Sequence, residues 1–78
     1  MYTVYILRCA DGKFYIGCTS DLQSRIKKHH AGHVLSTKSR LPLVLVTYIV
    51  FSDKMKAFEF EKYLKTGSGR AVMNKRLV

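Results

Sequence analysis

Residues 3–19, TVYILRCADGKFYIGCT, decide the fold. Two runs rich in β-branched and aromatic side chains, residues 3–8 and 14–19, flank a segment containing Asp11-Gly12, the pattern of two antiparallel strands joined by a tight turn. Two turns are compatible with this spacing. A two-residue Asp11-Gly12 turn sets Cys9 opposite Phe14 and Tyr5 opposite Cys18, which puts Tyr5 and Tyr15 on opposite faces of the sheet. A three-residue Ala10-Asp11-Gly12 turn, with Gly12 left-handed, pairs Cys9 with Lys13, Leu7 with Tyr15 and Tyr5 with Gly17. Both tyrosines then share one face. The residues leave this choice open.

Outward from the hairpin, Ser20-Asp-Leu-Gln23 has the form of a capping box and predicts a helix over residues 21–31, stopped by Gly32 in the left-handed position. Asp21, Arg25 and His29 recur every four residues and form a polar stripe, while Leu22 and Ile26 supply the buried stripe beside it. Residues 33–42, HVLSTKSRLP, follow neither helical nor strand period and read as loop. Residues 43–51 are the most apolar stretch and read as a third strand, at the centre of the sheet or along a well-covered edge. Ser52 is the expected cap of a second helix over residues 53–65 with Gly67 as its stop, and Ser68 that of a third over residues 69–77. The order β-β-α-β-α-α describes an α/β (α+β) fold, a three-stranded antiparallel sheet flanked by helices. A chain of 78 residues has room for one such domain, spanning residues 1–78.

Fourteen Lys and Arg against five Asp and Glu give a net charge of +9, in a chain that is 47% apolar. That apolar content excludes a disordered basic tail, and the charge points to a polyanionic partner. The longest apolar run falls well short of the roughly 20 residues of a membrane span, so no membrane partner is expected. The N-terminal MYTVYILRC has neither a basic leader nor a cleavage site, which makes the expected location cytoplasmic. Cys9 and Cys18 are then expected as thiols, and with His29, His30 and His33 they do not form a zinc-finger spacing.

Several residues stand out against this background. Glu61 falls among Ala57, Phe60 and Leu64 on the apolar side of the second helix, where an unpaired carboxylate costs several kcal/mol by order of magnitude. It needs either a salt bridge to an arginine or a metal ion. Arg25 is either the partner of Asp21 in a surface pair or a planar clamp for a phosphate. His29, one turn on, is placed to donate to a phosphate or relay a proton near neutral pH. Gly17 in mid-strand marks a close approach by backbone or ligand. Tyr5 and Tyr15 are sheet-face aromatics whose phenols accept a proton only where nearby cations favour the phenolate.

Taken together, Thr3-Val4-Tyr5, Tyr15-Ile16-Gly17, Arg25, His29 and Glu61 resemble the GIY-YIG nuclease superfamily, in its small single-domain branch similar to the UvrC N-terminal and Slx-type endonuclease domains. The stretches GCTSDLQSRIKKHHAG and FEKYLKTGSGR extend the resemblance over nearly the whole chain. Thr3 stands where the family name has its first glycine, and Asn74 lies one residue further from Glu61 than the asparagine of UvrC-like domains. The resemblance implies metal-dependent hydrolysis of DNA phosphodiester bonds, in repair or recombination. It assigns Glu61 to a single Mg²⁺ (or Mn²⁺), Arg25 to the scissile phosphate, and His29 to the supporting network. Tyr5 and Tyr15 flank the attacking water, one of them as general base.

The remaining cations explain attraction to DNA. Lys27, Lys28, Lys38, Arg40, Lys65 and Arg70, with Gly17, are the expected nucleic-acid contacts, giving salt-sensitive binding without sequence selection and a preference for branched or flapped DNA. The competing reading is a catalytically weak nucleic-acid-binding accessory protein on the same scaffold.

Overall fold

The hairpin adopts the three-residue turn. In the computed structural model, which describes residues 1–78, β1 (Tyr2–Arg8) and β2 (Phe14–Thr19) pair antiparallel with Leu7 opposite Tyr15 and Tyr5 opposite Gly17. The Cys9 N–H donates to the Lys13 carbonyl at 2.8 Å, and the Gly12 N–H to the Cys9 carbonyl at 2.9 Å. Gly12 has φ +81°, a conformation open to glycine without steric cost. Tyr5 and Tyr15 therefore lie on the same face.

β3 (Val44–Phe51) pairs antiparallel with the other side of β1, giving the order β2-β1-β3. The most apolar strand is thus an edge and not the centre. Nor is it well covered, since Val44, Tyr48 and Val50 are 56%, 53% and 49% exposed. The centre belongs to β1, whose Val4, Ile6 and Leu7 are almost wholly buried.

Each face of the sheet carries its own core. Val4, Ile6 and Ile16 pack against Ala57, Leu64 and Met73 on one side. Tyr5, Leu7, Cys9 and Leu43 pack with Leu22 and Ile26 on the other. Strand alternation delivers these two sets from the same short sequences.

The helices start where side-chain oxygens meet free N–H groups, and in each case the cap differs from the expected serine. α1 (Leu22–His30) is capped by Asp21, which accepts from the Ser24 N–H at 3.2 Å. Ser20 is bypassed because the Thr19 hydroxyl accepts the Asp21 N–H at 3.1 Å and turns the chain one residue later. Gly32, at φ +77°, ends this helix as expected, with the His33 N–H on the Lys28 carbonyl at 2.9 Å. α2 (Lys54–Leu64) is capped by Asp53 through the Met55 N–H at 2.9 Å, in place of Ser52. α3 (Gly67–Val72) is capped by Thr66, in place of Ser68, and starts two residues early. It continues into a π-type turn, Met73–Leu77, where a regular helix was expected.

Residues 33–42 hold one short 3₁₀ turn, Lys38–Arg40. The Arg40 carbonyl accepts the Ala10 N–H at 2.9 Å and ties this loop to the hairpin tip. Cys9 and Cys18 are free thiols. No helix is long and apolar enough to cross a membrane.

Candidate active site

The site grows from the central strand toward the free edge of β2. Tyr5 projects from β1 and lays its ring across Gly17, its partner in the ladder. A Cβ on Gly17 would collide with Cζ and the hydroxyl of Tyr5. The close approach read from this glycine is therefore made by the protein's own tyrosine. Gly17 is buried beneath that ring.

Tyr15 stands beside Tyr5, with ring centroids 6.3 Å apart. α1 brings its polar stripe onto both rings. The Arg25 Nε–H donates to the Tyr5 hydroxyl at 3.3 Å. The His29 ring meets Tyr5 and Tyr15 edge-on, at centroid distances of 5.6 Å and 5.2 Å. Asp21 is committed to its cap and forms no pair with Arg25, so the guanidinium is free to serve the site.

His29 is completely buried and fully hydrogen-bonded. Its Nε2 lies 2.8 Å from the Tyr5 hydroxyl and its Nδ1 2.8 Å from Thr37 Oγ1. The Thr37 hydroxyl points at the Val34 carbonyl, 3.5 Å away, which leaves its oxygen to accept from a protonated Nδ1. Nε2 then carries the lone pair and accepts the Tyr5 O–H. Charge agrees with this assignment. Burial holds the imidazole below its ordinary pKa, and the neighbouring Arg25 and His30 push the same way. Burial also raises the Tyr5 phenol, against the pull of its hydrogen bond from Arg25. At rest the network holds a neutral phenol donating to a neutral imidazole.

Glu61 stands on α2, which packs on the face of the sheet opposite Tyr5, and it makes no hydrogen bond to Tyr5, Tyr15, Arg25 or His29. Its charge acts on Tyr5 and on Cys18 of β2, in both cases opposing ionisation. The side chain is only 21% exposed, and its carboxylate accepts from Lys65 Nζ at 3.2 Å. The positive partner is thus a lysine one turn along the same helix, not an arginine. Such a pair contributes about 0.3–0.5 kcal/mol, so other cations displace it readily.

The expected DNA contacts separate into groups. Lys27, Lys28, Lys38 and Arg70 are exposed, Lys65 is held by Glu61, and Arg40 is paired with Asp11 at 3.1 Å. Thr37 escaped sequence reasoning, because a threonine in an aperiodic loop gives no signal until the loop is seen to cover His29. Lys13 and Asn74 were also missed as members of a cavity formed with Arg40 and Arg70.

A three-stranded sheet with one tyrosine laid over a mid-strand glycine and a second beside it, joined by arginine and histidine from the following helix, is the arrangement of a GIY-YIG domain. Residues 1–76 match the family model described as the GIY-YIG catalytic domain, and the chain belongs to that family. Within it, the relatives are UPF0213 proteins. The chain is 42% identical over 65 residues to one from Lacticaseibacillus paracasei, covering 82% of this chain and 73% of the relative. One from Staphylococcus haemolyticus is 42% identical over 66 residues, with 83% and 80% covered. The solution NMR structure of a UPF0213 protein from Bacillus halodurans superposes with a TM-score of 0.61 at 39% identity, covering 96% of this chain and 82% of that one.

Proposed function

We propose that this protein is a divalent-metal-dependent endonuclease that hydrolyses DNA phosphodiester bonds, with Tyr5, Tyr15, Arg25, His29 and Glu61 as its working residues. The observation that carries the reading is the hydrogen-bonded chain Arg25–Tyr5–His29–Thr37 beside Tyr15. A buried network of this kind is more than a surface for binding DNA needs.

Arg25 holds the scissile phosphate, and its fixed charge favours the transition state, where negative charge builds on the phosphoryl oxygens. Water attacks phosphorus, the bond to the leaving oxygen breaks, and that oxygen takes a proton from solvent. The water's proton passes to a tyrosine hydroxyl. Tyr5 is suited to this part because its own proton already points at the His29 lone pair, so the phenol receives one proton as it gives up another. Tyr15, half-buried beside it, positions the water.

Glu61 is the residue that would hold Mg²⁺ or Mn²⁺. A hard cation of this kind keeps several waters and takes further oxygens from a phosphate, so one protein carboxylate can suffice. When bound, such an ion supplies Lewis-acid stabilisation of the phosphate.

The test is cleavage of branched and linear DNA with and without Mg²⁺ or Mn²⁺, beside Glu61→Gln. Metal-dependent cutting is expected from the natural protein and lost in the variant, while DNA affinity changes little. The second reading, an accessory protein that binds nucleic acid without cutting it, draws on the Lys65–Glu61 pair, which fills the place of a metal. DNA binding without cutting by either form would favour it.

A further inference from the structure

A cavity of about 620 Å³ lies at the hairpin end of the molecule and contains none of the five residues above. Lys13, Arg40 and Arg70 line it, with Phe14 and Met73 as its apolar wall and Asn74 beside them. We propose that it is a second nucleotide subsite, seating a phosphate-bearing unit of the DNA strand away from the scissile bond. The inference rests on the nuclease reading and names how the substrate strand is held.

Three cations converge on the cavity, and the nearby acid, Asp11, is already engaged by Arg40. Arg40 is held in place twice. Its Nε donates to Asp11 Oδ2 at 3.1 Å, and its carbonyl receives the Ala10 N–H at 2.9 Å. The other guanidinium donors remain for an anion, and their position is set before it arrives. Phe14 offers an aromatic surface for a sugar or base, with the Arg8 guanidinium 5.7 Å from its ring centroid. The Asn74 amide supplies both a donor and an acceptor. The volume is that of a small-molecule site.

Position argues for a strand and against a free nucleotide. Lys13 and Phe14 run directly into Tyr15, and β2 is a free edge of the sheet. From Lys13 to Gly17 an extended strand covers about 13 Å. Phe14 and Met73 belong to the face opposite Tyr15, so a nucleic-acid strand reaches both places by passing round the free β2 edge, with a different phosphate at each.

The experiment follows backbone amide shifts of full-length Glu61→Gln, without metal, on adding short single-stranded oligothymidylate, thymidine monophosphate or inorganic phosphate. Oligothymidylate is expected to shift Gly12, Lys13, Arg70 and Asn74 together with Tyr15. Lys13→Gln and Arg70→Gln should each weaken its binding about tenfold and reduce the salt slope by about one. Lys56→Gln, an exposed lysine of α2 outside both sites, controls for net charge. The proposal is overturned if the cavity amides do not move, if Lys56→Gln weakens binding equally, or if the mononucleotide binds more tightly than the oligomer. Cavity shifts in a protein that never cuts would refute the nuclease reading alone. Cutting without cavity shifts would refute this inference alone.

Discussion

Gly17 is the smallest residue with the largest steric duty in the site. Any side chain there displaces the Tyr5 ring, and with it the hydroxyl shared by Arg25 and His29. Gly17→Ala is expected to lower stability by about 1–3 kcal/mol, the usual range for overpacking, in a urea titration. His29 carries a different signature. An unfolded histidine titrates near about pH 6.5, whereas the folded one is held lower by burial and nearby cations. Between those two values the unfolded chain binds more protons, so stability rises with pH there. Stability from this group is complete above about pH 6.5, declines as pH falls below it, and levels off beneath the folded pKa. Urea titrations across that window should register the decline, and His29→Gln should flatten it. Arg25 and His29 were legible as candidates because four-residue spacing put them on one stripe. Thr37 was not, since its role depends on a fold-back that no local pattern encodes.

At the scale of elements, turn and cap chemistry made the β-β-α-β-α-α order readable, while the cap positions shifted by one or two residues. Asp21 and Asp53 each lie one residue beyond the expected serine, and their carboxylates accept the first free N–H groups. Asp53→Ala is therefore expected to cost about 1 kcal/mol by thermal or urea denaturation, and Ser52→Ala close to nothing. The place of β3 was misread for a physical reason. An unbroken apolar run looks like a central strand, but α1 packs on the β1 and β2 side, leaving Tyr48 and Val50 exposed on the same face. Strand order depends on where helices settle, and hydropathy along one segment does not contain that information.

Across the whole molecule, fourteen basic residues stand against five acidic ones, the charge balance on which the proposed binding of DNA rests. Much of the affinity for DNA should then come from counterion release. Binding to single-stranded DNA is expected to weaken linearly in log-log terms as salt rises, with a slope of about 0.7 per neutralised phosphate. Fluorescence anisotropy at several salt concentrations measures this, and a flat response would exclude backbone charge as the main source of binding. The three-residue turn at Ala10-Asp11-Gly12 has a consequence of another kind. Surface loop tips ordinarily absorb insertions and deletions with little harm. Here a one-residue change in length would rotate the second strand by half a pleat, sending Tyr15 to the opposite core while the chain still formed a hairpin. Length variation among working versions of this domain should therefore spare that tip.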